Sequence, residues 1–505
     1  MKRLVVSLVL LTVAMAATAG QDSPVKGSRL IRDGRLSGTL FARRQIRRQK
    51  AVSAAGKGTD SATNNTFAAW RQRLKATEDN MRTEIVNGVT WYYLPFTQDG
   101  KTCARITSGS EKYIGELTIP SSLGGYPVTD IGGYRRTGRR AFGDCRELKS
   151  VTIPSGVTSI GDGAFSGCWG LESVSIPSSV TNIEGAAFWH CRGLKSIRIP
   201  SGVTDIGVEM FSGCSGLESV SLPSNMTSIG KYAFYKCGKL KSVTIPLGVT
   251  RIEESTFEGC DGLVSVTIPS TVTSIGEKAF SMCGGLMSFS VDPASPTFSS
   301  RNGMLCSKDG RFLLVGVNGD VTIPPGVTCI ESRAFEYHGG LKSLVIPFSV
   351  TCIKGGAFAG CGGLESVTIP TNVVSVGDHA FYNCSGLHSV AILSGETRIR
   401  ERAFGDCREI RSVETPLSIY ARLPYCFTDS LHAIAHITIV DGVERIYEAA
   451  FEGCSGLKSV TIPASVKSID ANAFSNCSKL KSVNVIKDGM IKSMSIEDLR
   501  NRLNR

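Results

Sequence analysis

Beyond its first nineteen residues the 505-residue chain has no stretch of 18 consecutive apolar residues, the length a membrane-crossing helix needs. It lacks the closely spaced cysteine pairs of zinc sites; twelve of its 17 cysteines recur at one position, 23 residues apart where the period holds. Histidine is scarce, six residues in all, and scattered, although His432 and His436 stand four apart. No Gly-x-Ser-x-Gly elbow and no partnered His or Asp marks a nucleophile, and no Walker-type loop offers to cradle phosphate. Adjacent acids such as Glu253-Glu254 read as solvated corners. One-sided charge is missing from most of the chain. The net charge of +12 comprises +2 from Lys2 and Arg3, +7 from residues 21–50, +1 from 51–120 and +4 from 478–505, which leaves −2 for residues 121–477. So neutral a body does not suit nucleic acid. These absences point away from catalysis, cofactors and metals.

A repeat is what the chain has instead. Residues 150–171 read SVTIPSGVTSIGDGAFSGCWGL, and the pattern returns throughout. Its phenylalanine falls at Phe142, Phe165, Phe188, Phe211, Phe234, Phe257 and Phe280, then at Phe335, Phe358, Phe381 and Phe404, and again at Phe427, Phe451 and Phe474. A fixed period of this size means a solenoid. Within a unit, Val151 and Ile153 alternate with polar residues as on a short strand with one buried face. Pro154 ends the strand, since it cannot donate to a ladder. Val157 and Ile160 form a second inward pair. Gly161 and Gly163 allow a corner, a helical turn follows from Ala164-Phe165 to Cys168, and Leu171 re-enters the core. The expected fold is a repeat solenoid, mainly β, with one or two short strands and a helical turn per 23-residue coil.

Around the array, residues 1–19 form a signal peptide: Lys2 and Arg3, an apolar run over 4–15, and the Ala17-Thr18-Ala19 cleavage site. Residues 20–83 are a basic, largely disordered leader in which Arg43, Arg44, Arg47 and Arg48 cluster beside Leu40 and Phe41. A brief helix is expected over 67–81. Residues 84–120 read as an N-terminal cap with an Asn87-Gly88 hairpin. The solenoid proper runs over 121–484, with an insert at 284–333 and a degenerate repeat at 408–450, and residues 485–505 form a tail. The insert carries two strand-like runs around Lys308-Asp309-Gly310, read as a hairpin projecting from or replacing coils.

The unit Leu-x-Ser-Val-Thr-Ile-Pro-x-x-Val-Thr-x-Ile-Gly-x-x-Ala-Phe-x-x-Cys-x-x resembles the BspA-like leucine-rich repeat family over about residues 113–484, and Trp91-Tyr-Tyr with Gly115-Glu-Leu-Thr-Ile-Pro is similar to the leader preceding such arrays. The resemblance implies a secreted or surface-displayed binding or adhesion protein, mostly of bacteria, with no catalytic residues to carry over.

The repeat's slots divide the remaining residues. Thirteen serines, from Ser150 to Ser482, recur two residues after the re-entering apolar residue and form a strand-face ladder. The cysteine column reads as small buried hydrophobes, because equivalent side chains on stacked coils point the same way. Cys329 and Cys352 sit elsewhere, each before the second-strand Ile of adjacent coils, and are the best disulfide candidate. One variable slot follows the re-entering residue: Lys149, Glu172, Lys195, Glu218, Lys241, Val264, Met287, Lys342, Glu365, His388, Arg411, Lys458 and Lys481. Lys149, Glu172, Lys195, Glu218, Lys241, His388 and Arg411 are the candidate ligand-facing residues, although alternating signs also suit cross-coil charge pairing. The expected function is non-catalytic binding of an extracellular protein or glycan by a monomer without a transmembrane segment; the alternative is a structural envelope or matrix protein with no specific ligand.

Overall fold

The computed structural model describes residues 80–109, 113–132, 140–416, 423–487 and 490–503. The signal peptide, the leader to residue 79 and most of the helix expected over 67–81 lie outside them. Each regular coil carries two short strands, where one or two were expected. Leu148–Thr152 pairs in parallel with Ser173–Ser175, Ser150 opposite Ser173, and the two-residue strand Ser159–Ile160 pairs with Asn182–Ile183. The same register recurs along the array. The Pro carbonyl closes the corner between the strands by accepting from Val157 N–H at 3.1 Å. Val151, Ile153, Val157, Ile160, Phe165, Cys168 and Leu171 are all buried. Each such side chain stabilises by roughly 1.5–3 kcal/mol once covered, and the cover comes from neighbouring coils.

The segment read as a helical turn is a series of i→i+3 turns broken by left-handed residues. Ser166 N–H donates to Gly163 O (3.0 Å) and Cys168 N–H to Phe165 O (3.3 Å), within the coil. The intervening amides leave the coil: Gly163 donates to Gly185 O (3.1 Å), Phe165 to Ala187 O (2.8 Å) and Gly167 to Trp189 O (2.7 Å). This alternation needs positive φ two residues before and two after the Phe. Gly supplies it in some coils, but Glu209 (59°), Tyr232 (57°), Lys236 (57°) and Lys278 (58°) adopt it elsewhere. A left-handed residue with a side chain costs about 1–2 kcal/mol, and the cross-coil hydrogen bonds offset that cost. The coils are thus joined by three backbone ladders, two of strands and one of turns.

The Phe rings stack in three runs, Phe142 to Phe280, Phe335 to Phe427, and Phe451 with Phe474, at centroid separations such as 5.1 Å and 4.8 Å. The gaps between runs fall where the 23-residue period breaks. The cysteine column lies alongside, and its role is more than filling space. Ten of the twelve column thiols donate to the Phe carbonyl of the preceding coil, among them Cys168 to Phe142 O (3.0 Å), Cys214 to Phe188 O (3.0 Å) and Cys407 to Phe381 O (3.0 Å). Burial pushes Cys214 and Cys283 up to about 12, so these two thiols stay protonated and unreactive.

The cap feeds the strand columns. Arg82–Val86 and Val89–Gln98 form the Asn87-Gly88 hairpin, and Lys101–Gly109 pairs antiparallel with the second of these. Lys101–Gly109 also pairs in parallel with Tyr126–Ile131, which begins the second-strand column, while Gly115–Thr118 begins the strand-face column. Trp91 and Tyr113 meet Phe142 edge-on and close the first ring stack. At the other end Ser482–Lys487 pairs antiparallel with Met490–Met494, followed by the helix Ile496–Leu503 with Ser495 Oγ accepting from Asp498 N–H at its start.

The insert replaces part of a coil. Phe298–Arg301, Met304–Ser307 and Phe312–Val315 form an antiparallel meander, and its third strand joins the second-strand column beside Cys329–Ile330. Met304, Leu305, Cys306 and Leu313 are buried in the common core. Gly316 occupies the Phe slot, donating to Ala334 O at 2.8 Å, and a Cβ there would lie 2.0 Å from Phe335 Cε1. Asn318 bridges the missing turn: its amide nitrogen donates to Cys283 O and Leu286 O, and its oxygen accepts from Gly340 N–H. In the degenerate repeat Phe427 holds the Phe slot, and Ser430 takes the cysteine slot, its hydroxyl donating to Phe404 O at 2.9 Å.

His338 is the exception in the cysteine column. It is wholly buried, its Nδ1 lies 3.3 Å from Glu336 O, and its Nε2 has no hydrogen-bond partner. Burial pulls its pKa down to about 4, against the smaller opposing effect of the Glu336, Gly316 and Phe335 backbones. The unfolded chain binds this proton near pH 6.5, so between about 6.5 and 4 it holds a proton the folded chain does not. Stability therefore falls as pH drops through that window, by about 3 kcal/mol in all, and levels off below it. Denaturant unfolding of the wild type and His338→Cys between neutral pH and pH 4.5 checks this. The variant is expected to lose markedly less stability; parallel losses would contradict the assignment.

Candidate binding surface

The variable slot stands at the start of the exposed strand face, one residue before the serine ladder. Its backbone is part of the ladder: Glu172 N–H donates to Lys149 O and Arg411 N–H to His388 O, each at 2.8 Å. The outward side chains are held by each other. Glu172 lies between Lys149 (3.2 Å) and Lys195 (3.4 Å), and Lys241 approaches Glu218 at 3.8 Å. Lys149, and after it Lys195, holds the Glu172 carboxyl below the usual carboxylate range. The second-strand edge repeats the arrangement, with Lys231–Glu254 (3.1 Å) and Lys354–Glu331 (2.7 Å), again 23 residues apart. Exposed pairs of this kind add little stability, and a ligand can exchange partners with them at small cost.

Five of the candidate residues, Lys149, Glu172, Lys195, Glu218 and Lys241, therefore form one continuous charged column over five coils. It gives way to half-exposed Val264 (49%) and Met287 (51%) at the edge of the insert. The turn Asn302-Gly303 covers the strand beyond: Phe289 N–H donates to Gly303 O (2.7 Å) and Asn302 Nδ2 to Thr322 O (3.3 Å). His388 and Arg411 lie on adjacent coils past the insert, apart from the other five, and Arg411 pairs with Glu409 at 2.7 Å. In the serine column His436 stands in for one serine, and its Nδ1 lies 2.8 Å from Ser459 Oγ. That contact follows from register, His436 opposite Ser459, and both groups belong to a repeated structural column.

Cys329 and Cys352 are register neighbours on parallel strands, and both are thiols. Cys329 is buried and pushed up to about 12, chiefly by that burial, while Cys352 is half-exposed. The slot after each column cysteine escaped sequence reasoning. It places Arg146, Trp169 and Arg192 in one stack on the turn edge; their 23-residue spacing was the available signal. Among the described residues no helix is long and apolar enough to cross a membrane.

Comparison with known proteins agrees with this architecture. A leucine-rich repeat protein from Bacteroides ovatus ATCC 8483 has 28% identity and a TM-score of 0.52, with 79% of this chain and 94% of that chain covered. A leucine rich cell surface protein from Faecalibacterium prausnitzii A2-165 has 27% identity and a TM-score of 0.44, covering 81% of this chain and 95% of that one. No curated protein matches. The model of the BspA type leucine rich repeat region matches residues 135–261, 227–301, 318–433 and 423–497, and the chain belongs to that family.

Proposed function

We propose that the chain is exported and works as a monomeric, non-catalytic binding protein that holds an extracellular protein or glycan across its strand face. The observation behind this reading is the division of labour within the coil. Val, Ile, Phe, Cys and Leu are spent on burial and Pro and Gly on corners, whereas the slot from Lys149 to Lys241 varies from coil to coil and faces outward. A rigid array that repeats a position every coil offers many weak contacts in a line, the usual way a solenoid gains affinity. A second reading, a structural envelope component, draws support from the same column, because Lys149, Glu172 and Lys195 already satisfy one another.

In an oxidising medium we further propose that Cys329 and Cys352 close a disulfide, since they are register neighbours outside the buried column. Thiol titration of exported, unreduced and denatured protein should then find 15 of the 17 cysteines free. A count of 17 removes the bridge, and a count far below 15 contradicts the protonated, buried column.

The binding reading is checked with mature protein immobilised against glycans and extracellular proteins. Because insert residues such as Leu305 and Leu313 are core, surface substitution is the sound probe rather than deletion. Lys195→Glu with Lys241→Glu should weaken retention of the captured ligand roughly tenfold or more while leaving the melting temperature within about 2 °C. Retention of no ligand by the intact protein would favour the structural reading.

A further inference from the structure

The turn edge of the first coils carries a feature that the strand-face reading does not use. Trp169 lies between two guanidinium groups, Arg146 Cζ 4.0 Å and Arg192 Cζ 4.6 Å from its ring. The three residues occupy the same slot of consecutive coils, so the solenoid's own repeat sets the stack. The Cζ atoms are therefore at most about 8.6 Å apart. Arg146 and Arg192 are exposed and have no carboxylate partner among the described residues. Elsewhere on the array arginines such as Arg402, Arg408, Arg411 and Arg445 do pair with acids. Beside the stack a second half-buried indole, Trp189, has Arg140 at 6.0 Å and the His190 ring at 3.9 Å. Two of the chain's four tryptophans thus fall on adjacent coils of one edge.

A guanidinium lying flat on an indole keeps its edge N–H donors free for planar, bidentate recognition of an oxyanion. The indole limits the freedom each Arg must lose on binding. Two such forks held in line suit a ligand with anionic groups at regular spacing. Much of the backbone of this edge is already engaged. His190 N–H donates to Ser212 O (2.7 Å), Arg192 N–H to His190 O (2.9 Å) and Gly193 N–H to Trp169 O (2.9 Å), so these amides are not free to pair with a peptide strand. Charge forks beside aromatic rings, on an edge whose amides are largely engaged, favour a sugar polymer over an acidic peptide.

We propose that the Arg146–Trp169–Arg192 stack, flanked by Trp189, is a binding site for an anionic, sulfated or carboxylated polysaccharide, separate from the strand face. Each guanidinium takes one anionic group of the polymer, and Trp169 serves as a positioning plate between them.

Fluorescence titration of the mature protein with heparin oligosaccharides tests this, run beside neutral dextran and poly-glutamate at about 150 mM salt. Heparin fragments should change the tryptophan emission, and Trp169→Phe should remove most of that change. Arg146→Gln with Arg192→Gln should weaken binding roughly tenfold or more. Lys101→Gln with Lys479→Gln, which removes the same charge from exposed positions off the strand face, should leave binding unchanged. An equal loss in that control would reduce the effect to general attraction and overturn the site. Equal affinity for poly-glutamate would overturn the polysaccharide assignment, and so would no binding of heparin by the wild type. None of these outcomes depends on strand-face binding, because Lys195 and Lys241 are untouched in every variant.

Discussion

A single coil of this protein cannot cover its own apolar side chains; only the next coil can. Val151, Ile160, Phe165 and Leu171 are buried because their counterparts in the adjoining coils lie above and below them. Most other features serve that stacking. The strand ladders hold register on two sides, and the turn ladder holds the third by sending alternate amides out of the coil. Positive φ at Tyr232 or Lys278 is tolerated because it aims those amides. Most column thiols bond to Phe carbonyls one coil back, and Ser430 preserves that bond where cysteine is replaced.

The same constraint distributes function. Side chains that point inward are committed, so only slots that face water are open to the recognition proposed above. On the strand face those slots form an ion-paired column of Lys and Glu, and on the turn edge they form the Arg–Trp–Arg stack. The two surfaces differ in kind. The first has its charges neutralised by neighbours, whereas the second holds two cations against an aromatic plate with no acid between them.

Much of the coil was legible because inward residues recur at fixed offsets. Alternation around Val151 marked the strand, Pro154 its end, and the Phe spacing the coil. Features that depend on where a backbone amide points were not. The turn from Ala164 to Cys168 has helical spacing, yet left-handed residues at 163 and 167 turn it into a cross-coil ladder. The insert showed two strands around Lys308-Asp309-Gly310, but its entry into the core depends on Gly316 standing in the Phe slot under Phe335. Ser430 was hidden by a change of residue type, although it lies three residues after Phe427 like every column cysteine after its Phe. Arg146, Trp169 and Arg192 are unremarkable in their own coils, and only stacking brings them together.

Native-state hydrogen exchange on the protein tests the three-ladder account most directly. The amides of Gly163, Phe165 and Gly167, and their counterparts in later coils, should exchange as slowly as those of Val151 and Val174 in the strands, because all are donated within or between stacked coils. Turn amides exchanging as fast as an ordinary surface loop would show that the turn edge does not bind coil to coil, and would contradict the account.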